Sequence, residues 1–304
     1  MIPKKTEQIS WLWYILPALF IYSVFMAFPL ADSIRLSFFS DSSGESTFVG
    51  FQNYTELFGN PNYSERYWGA FGNTWYFFFI HVVVQNILGL VFALMLSAKG
   101  MKAVRLYQTI IFIPVTLAIL VTGYLWKLIL NPQWGALPLF LQAINLEQLV
   151  QPWLGDEKYA LTAVSLVSSW QWVGIPTMMF LAGLQGISDD LFEAADIAGC
   201  STWQKIWYIQ LPLIKPVIGL VAILTFVNNF NAFDIVFSME NVNGAPQYST
   251  DLIGTLFYRV GIAGQHPVGI PNAGMGATIA TVTFAMLMIG VGIILRITRT
   301  RDEE

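Results

Sequence analysis

Long apolar runs alternate with short polar or charged breaks along this chain of 304 residues. A helix needs ~20 mostly apolar residues to cross a hydrocarbon layer ~30 Å thick, because each residue rises ~1.5 Å. Six runs reach that length and mostly lack the polar face of a helix on a water-soluble core. They lie at about 11–38, 73–97, 106–130, 159–185, 212–237 and 274–297. The pattern predicts an all-α integral membrane protein with six transmembrane helices, forming a single domain over residues 1–304.

Composition supports a membrane protein. The chain is 55% hydrophobic and 11% charged, whereas soluble domains are about 25% charged. The sequence has no basic patch with interleaved aromatics, which argues against nucleic acid as a partner, and its single cysteine excludes an intrachain disulfide. A cleaved signal peptide is the alternative for the run from Trp11 to Leu30. That run is too long and too aromatic, and no small-x-small site follows it, so we expect a retained first helix.

The lysines and arginines favour one orientation, because cytoplasmic loops carry an excess of them. With the N-terminus inside, ten of the 15 basic residues fall on the cytoplasmic side and five outside. The cytoplasmic set is Lys4, Lys5, Lys99, Lys102, Arg105, Lys205, Lys215, Arg296, Arg299 and Arg301. The external set is Arg35, Arg66, Lys127, Lys158 and Arg259. This distribution predicts an N-in/C-in topology.

A polar segment follows the fourth apolar run and falls on the cytoplasmic side in that topology. Asp190 and Glu193 have the spacing of a capping box, which predicts the start of a helix. Gly199 suits the left-handed conformation that ends a helix. A second short helix is expected after it, capped by Ser201 or Thr202. Spacing alone leaves open whether this capped loop has a partner.

The same segment resembles the coupling loop of bacterial ABC-importer permeases. The matching positions are Glu193-Ala194-Ala195, Gly199, Ile209, Leu211 and Pro212. Two positions depart from the family pattern, which usually has Asp where this chain has Ala198 and Ala where it has Cys200. In that family an ATPase subunit docks on the loop. The resemblance implies a coupling loop at 189–210, with Glu193, Ala194, Ala195 and Gly199 shaping the docking helix.

Most of the remaining chain, from about Trp11 to Arg296, resembles the sugar-uptake branch of that family, the maltose and glycerol-phosphate type. The motifs that carry the resemblance are Phe48-Val-Gly-Phe-Gln-Asn-Tyr54, Asn73-Thr74, Phe112-Ile-Pro114, Asn243-Gly-Ala-Pro246 and Gly274-Met-Gly-Ala277. The resemblance implies a type I ABC importer permease in a bacterial cytoplasmic (inner) membrane. Its substrate would be a sugar, either a mono- or oligosaccharide or a related glycoside.

The resemblance also implies a set of partners. These are a second homologous permease, two ATPase subunits that bind ATP and Mg, an extracytoplasmic solute-binding protein and the lipid bilayer. The chain itself contains no P-loop, no metal-binding motif and no catalytic constellation. We therefore expect no enzyme activity and no cofactor in this chain, with ATP hydrolysis in the separate subunits.

Polar residues inside membrane helices are costly and normally face a cavity or another helix. The fifth run carries five of them: Thr225, Asn228, Asn229, Asn231 and Asp234. The amide of Asn donates and accepts hydrogen bonds, which suits sugar hydroxyls. The resemblance favours Asn229, with Thr225 and Asn231 nearby. Hydrogen bonding between helices uses the same residue types and stays open as the alternative.

The fourth run carries Trp170, Gln171 and Trp172, an indole and amide combination that suits a sugar platform, although Trp is also a large apolar packing residue. His81 and Gln85 of the second run, with Asn86, are weaker candidates.

Charge bears on the solute and on the class of transporter. No Lys or Arg falls near mid-membrane in the predicted helices, which favours a neutral sugar over a glycerol-phosphate-type solute. An ion-coupled secondary transporter is the alternative from another class. It would show ionisable residues at mid-membrane and an inverted repeat, whereas this chain has one Asp there and no visible repeat. A membrane scaffold or sensor without transport is a further alternative.

Overall fold

The computed structural model describes residues 5–40, 46–98, 100–264 and 269–298, with side chains from residue 13 onward. Four basic residues used in the orientation argument, Lys4, Lys99, Arg299 and Arg301, lie outside the described residues.

The described residues are almost entirely helical. The α-helices in chain order are α1 (Lys5–Tyr22), α2 (Phe28–Leu36), α3 (Gln52–Gly59), α4 (Pro61–Ile80), α5 (Ile87–Leu96), α6 (Val104–Phe112), α7 (Ile119–Ile129), α8 (Ala136–Ala143), α9 (Glu157–Trp172), α10 (Gly174–Gln185), α11 (Asp189–Ile197), α12 (Thr202–Lys205), α13 (Leu211–Leu213), α14 (Lys215–Phe230), α15 (Asp234–Glu240), α16 (Ile253–Tyr258) and α17 (Ala273–Thr298). Short π-helical turns join α1 to α2, α4 to α5 and α12 to α13. Strands β1 (Phe39–Ser40) and β2 (Thr47–Phe48) pair antiparallel, with Phe39 opposite Phe48.

Three continuous helices in the described residues are long and apolar enough to cross a membrane: Trp13–Leu36, Pro61–Leu96 and Ala273–Thr298. Two bent pairs raise the number to five if each pair is one span. The helical, membrane-type part of the prediction is confirmed, while the count of six and the N-in/C-in orientation stay predictions. None of the apolar window of Trp13–Leu36 is buried within this chain, as expected for a surface that faces lipid.

The bends and boundaries differ from the predicted runs. The second helix begins at Pro61 rather than at residue 73. Val104–Thr116 and Ile119–Ile129 meet at 95°, because Leu117 and Ala118 have extended backbone between them. Thr202–Leu213 and Lys215–Phe230 meet at 67°. The second of these helices carries a proline in its first turn, where the missing N–H costs nothing.

The chain divides into two compact units, one of residues 1–64 and 257–284 and one of residues 65–256 and 285–304. In the first unit, the Asn53 amide donates to the carbonyl oxygens of Ser37 and Phe39 at 2.9 and 2.8 Å. Gly274, at the start of α17, packs so closely on Phe39 that a Cβ there would collide with its carbonyl oxygen. These contacts fix the β-ribbon between α3 and α17.

The second unit contains two apolar clusters. One is centred on Phe77, Val164 and Val236, and the other on Ala93 and Phe180, all almost fully buried. Lipid tails are as apolar as these side chains, so close packing rather than water exclusion has to hold membrane helices together. Small residues provide that packing in this unit.

Two helix contacts illustrate it. A Cβ at Gly89 of α5 would lie 3.2 Å from Pro176 of α10. A Cβ at Gly123 of α7 would collide with the Ser238 hydroxyl of α15. Glycine therefore sets the approach of both helix pairs.

Candidate functional site

A cavity of about 300 Å³ lies within the second unit. Four apolar segments line it: the helix through α4 and α5, the start of α7, the α9–α10 pair, and α14 with the turn that follows it. Its polar lining residues are His81, Gln85, Ser168, Thr225, Asn228, Asn229, Asn231 and Asp234. Among the described lining residues Asp234 is the one carboxylic acid, and neither Lys nor Arg is among them.

The cavity brings together all five polar residues predicted in the fifth run. Thr225 and Asn229 are 5% and 4% exposed, one helical turn apart, whereas Asn228 and Asn231 are exposed and stand at the cavity mouth. The Asn229 Nδ2 atom donates to the carbonyl oxygen of Thr225 at 2.6 Å, and its Oδ1 atom is buried without a hydrogen-bond partner. The Asn231 amide donates to the Val227 carbonyl oxygen at 2.9 Å.

The fourth run contributes one face of its helix to the cavity. Ser168, Trp172, Pro176 and Met179 recur every three or four residues and all line it. Trp170 and Gln171 point elsewhere. The Trp170 ring lies edge-on against Trp126 at 5.4 Å.

The fully buried Gln171 side chain is also committed outside the cavity, because its amide donates to the Leu117 carbonyl oxygen at 3.0 Å. Of the three candidates from this run, the structure places Trp172 alone at the cavity. The helical spacing from Ser168 was the signal that separates Trp172 from its two neighbours.

His81 and Gln85, the weaker candidates from the second run, both line the cavity. His81 begins the π-helical turn His81–Asn86, Gln85 is its fifth residue, and the two are 2% and 7% exposed. The His81 Nδ1 atom lies 2.8 Å from the Phe77 carbonyl oxygen, and its Nε2 atom lies 2.9 Å from Ser168 Oγ. A carbonyl oxygen only accepts, so the neutral ring carries its proton on Nδ1 and the Ser168 hydroxyl donates to Nε2.

The coupling-loop segment at 189–210 folds into two short helices, α11 and α12. The capping box predicted at Asp190 and Glu193 is wrong. The N-cap of α11 is Ser188, whose hydroxyl oxygen accepts the N–H of Asp190 at 3.3 Å. Ser188 has an extended backbone, as N-caps do, and Asp190 already lies in the first turn, where acidic side chains favour the helix dipole.

A capping box does occur at the second helix. Ser201 is the N-cap of α12, and the Gln204 side chain accepts the Ser201 N–H at 2.7 Å. Of the two residues expected as alternatives for this cap, Ser201 and Thr202, the structure has Ser201. Lys205 of α12 forms an ion pair with Asp196 of α11, which joins the two helices.

Gly199 ends α11 as predicted, at φ +74°. The Cys200 N–H donates to the Ala195 carbonyl oxygen and the Gly199 N–H to that of Asp196, at 2.9 and 3.0 Å. Both bonds together are a Schellman motif. A Cβ at Gly199 would meet nothing within 4 Å, so the backbone conformation alone demands glycine.

The two helices leave an unpacked apolar surface in this chain. Ile197 is 90% exposed, Trp203 66% and Tyr208 79%. Glu193 and Ala194 are exposed, and Ala195 is buried against the chain. Exposed apolar residues grouped in this way are typical of a surface that another protein or a membrane covers.

Comparisons with known proteins place the chain in a family. Residues 74–301 match the family described as "Binding-protein-dependent transport system inner membrane component". The probable ABC transporter permease protein YurN of Bacillus subtilis is 32% identical over 249 residues, which are 81% of this chain and 83% of that protein. The arabinooligosaccharides transport system permease protein AraP of the same species is 30% identical, covering 91% of this chain and 85% of AraP. The lactose transport system permease protein LacF of Rhizobium radiobacter is 27% identical, covering 92% and 90%.

The fold has a solved counterpart. A chain of a bacterial ABC transporter involved in the import of the acidic polysaccharide alginate superposes with a TM-score of 0.75 at 22% identity, covering 97% of this chain and 99% of that chain. The same similarity appears with an alginate transporter in complex with a periplasmic protein, with a TM-score of 0.72 at 22% identity, covering 97% and 94%. The family match spans most of the chain, and this chain therefore belongs to the inner membrane components of binding-protein-dependent transport systems.

Proposed function

We propose that this chain is a permease subunit of an ATP-driven ABC importer and carries a neutral sugar through the asparagine-rich cavity of its second unit. That cavity is the observation that carries the proposal. Its Asn and Thr side chains suit hydroxyl groups, and relatives at 27–30% identity are named for arabinooligosaccharides and lactose. Asp234 would repel an acidic solute, which disfavours the glycerol-phosphate-type alternative.

The helices α11 and α12 are proposed to dock the ATPase subunit. Glu193 and Ala194 stand on the exposed side of a helix that is fixed at both ends, by Ser188 and by Gly199. A rigid, capped helix transmits a push or pull to α14 without bending first. Closure of an ATPase dimer would then rock the apolar helices and open the cavity to the outside.

The proposal includes a six-span, N-in/C-in topology in the inner membrane. The excess of Lys and Arg on one side supports it, and it puts α11 on the same side as the ATPases. A second homologous permease, two ATPases and an extracytoplasmic solute-binding protein complete the assembly. ATP and Mg bind to the ATPase subunits.

The test is reconstitution of the chain with its co-expressed permease, ATPases and solute-binding protein in proteoliposomes. We expect radiolabelled sugar to enter when ATP is supplied inside, in the absence of an ion gradient. Uptake that ignores ATP and collapses with the ion gradient would contradict the importer and support a secondary transporter. A complex that hydrolyses ATP and moves no solute would support a scaffold or sensor.

A further inference from the structure

One polar wall of the cavity is formed by His81, Gln85, Ser168 and Asn229, and it offers hydrogen-bond acceptors to a solute. Its side chains each donate a hydrogen bond within the protein, and the Gln85 and Asn229 oxygens accept none. The His81 Nδ1–H group donates to the Phe77 carbonyl oxygen, and the Ser168 hydroxyl donates to His81 Nε2. The Ser168 oxygen therefore keeps its lone pairs as an acceptor.

The two amides on this wall follow the same rule. The Asn229 Nδ2 atom donates to its own helix, and the Gln85 Nε2 atom lies 3.4 Å from the Asn86 Oδ1 atom. The Gln85 Oε1 and Asn229 Oδ1 atoms are both buried without a hydrogen-bond partner. A buried, unmade hydrogen bond costs ~1–3 kcal/mol, so these two atoms are sites that a donor group would satisfy.

We propose that Gln85, held by the π turn beside the His81–Ser168 pair, accepts a hydrogen bond from a hydroxyl group of the solute, in the same cavity that Asn229 lines. The inference rests on the proposed function and goes further, because it assigns the second apolar helix to the solute site and the accepting role to the protein. A sugar hydroxyl donates one hydrogen bond, which fits an acceptor. A deprotonated carboxylate or phosphate group of a solute brings acceptors only and cannot satisfy these two oxygens.

The π turn explains why these side chains reach the cavity. π-helical turns inside α-helices occur frequently at functional sites, because one extra residue turns the following side chains to a new face. Here the turn begins at His81, and Gln85 stands four residues later on the same buried side. Asn86, the last residue of the turn, bonds to Thr225 of α14 and fixes the turn against the helix that carries Asn229.

The experiment uses the full complex in proteoliposomes and four probes, lactose, maltose, trehalose and arabinotriose. Uptake of the best of these is compared with uptake of its monodeoxy analogues, each lacking one hydroxyl. In the wild type we expect one analogue to enter about three- to tenfold more slowly than the parent. This factor corresponds to the net free energy of one hydrogen bond. In Gln85→Leu we expect the ratio for that analogue to fall to about 1, with slower uptake of the parent.

Two further variants keep the result interpretable. Thr122→Val removes another buried oxygen without a partner, on α7 and outside the cavity lining, and should leave the ratio as in the wild type. Gln85→Met replaces Gln85→Leu if the latter does not assemble with its partner subunits. It should give the same ratio of about 1.

The outcomes separate the two proposals. Wild-type uptake with an unchanged analogue ratio in the Gln85 variants would overturn this inference and leave the proposed function standing. Failure of the wild-type complex to move any of the four sugars, while it hydrolyses ATP, would overturn both.

Discussion

The Asn86 side chain donates a hydrogen bond of 3.0 Å to the Thr225 hydroxyl oxygen, which joins the π turn after α4 to α14. The Thr225 hydroxyl in turn donates to the Val221 carbonyl oxygen of its own helix at 2.8 Å. The bond therefore links two segments that are 139 residues apart in sequence and that both line the cavity or border it. In a membrane, helices associate through close packing and interhelical hydrogen bonds, so this bond favours one register of the two segments.

Removing this bond should destabilise the protein and loosen the cavity. We expect Asn86→Leu and Thr225→Val each to lower the free energy of unfolding by about 0.5–1.5 kcal/mol. The double variant should lose less than the sum of the two, because the shared bond is counted once. Unfolding of the purified chain in detergent measures all three. Strict additivity would show that the two side chains do not interact, and Thr109→Val, which affects a bond within one exposed helix, is the control.

The close contact of α7 with α15 gives a second prediction. Gly123→Ala places a methyl group on the Ser238 hydroxyl, so the helices must separate or the serine must turn away. We expect a loss of about 1–3 kcal/mol in the free energy of unfolding. Replacing Ser238 by Gly in the same chain should recover most of it. No recovery would mean that the methyl group meets another obstacle.

A matched control is available at Gly292 of α17, where a Cβ would meet nothing within 4 Å. Gly292→Ala should be neutral or slightly stabilising, since alanine is the better helix former. A similar loss at both glycines would contradict the packing argument and indicate a general effect of the substitution.

Hydrophobic patterning predicted long apolar helices, which the structure has, but not all of their bounds, since the second begins at Pro61 rather than at residue 73. It did not predict the 95° bend at Leu117 and Ala118, whose extended backbone follows the 3₁₀ turn that contains Pro114. It did not predict the π turn at His81 either. The asparagine cluster at the cavity was visible because polar residues are rare in membrane helices.

Local rules failed where two neighbouring residues competed for one role. Asp190 and Glu193 have the right spacing for a capping box, but Ser188 precedes them and takes the N-cap position. Trp170 and Trp172 look alike in sequence, and the helical face decides which of them reaches the cavity. A register argument from Ser168 would have resolved the second case, whereas the first needed the backbone angles.

Glu240, three residues beyond the predicted fifth membrane helix, gives a pH prediction. It is 5% exposed, and burial raises its pKa from 4.5 to about 7, partly offset by the attraction of Lys127. Between pH 4.5 and 7 the Glu240 carboxyl is therefore protonated in the folded protein and ionised in the unfolded chain. Stability from this group is fully present below pH 4.5 and falls as the pH rises through 7, by a few kcal/mol in total at ~1.4 kcal/mol per pKa unit.

Glu240→Gln removes the titration and keeps the volume. We expect the variant to be about as stable as the wild type at pH 4.5 and more stable at pH 8, measured by unfolding in detergent at both values. Comparing the two proteins at each pH cancels the titration of all other groups. Equal stability of variant and wild type at pH 8 would show that the carboxylate is hydrated in the folded state.

Substitutions at Gly199 can separate an effect on folding from an effect on the coupling of ATP hydrolysis to uptake. Its φ of +74° closes α11, and nothing lies within 4 Å of a Cβ there, so a substitution acts through the backbone alone. Gly199→Val should unwind the end of α11, because a β-branched residue in the left-handed region costs ~1–2 kcal/mol. Since that loss falls on an exposed loop, we expect the chain to remain folded and to assemble, while ATP-dependent uptake drops at least tenfold.

Gly199→Asn is the matched control, because asparagine tolerates the same conformation and should retain most of the uptake. Uptake, ATP hydrolysis and subunit recovery are measured on the same proteoliposomes. Wild-type uptake by the valine variant would mean that the geometry of α11 does not carry the coupling, and the docking surface would then have to be sought elsewhere, first at the exposed Trp203 and Tyr208.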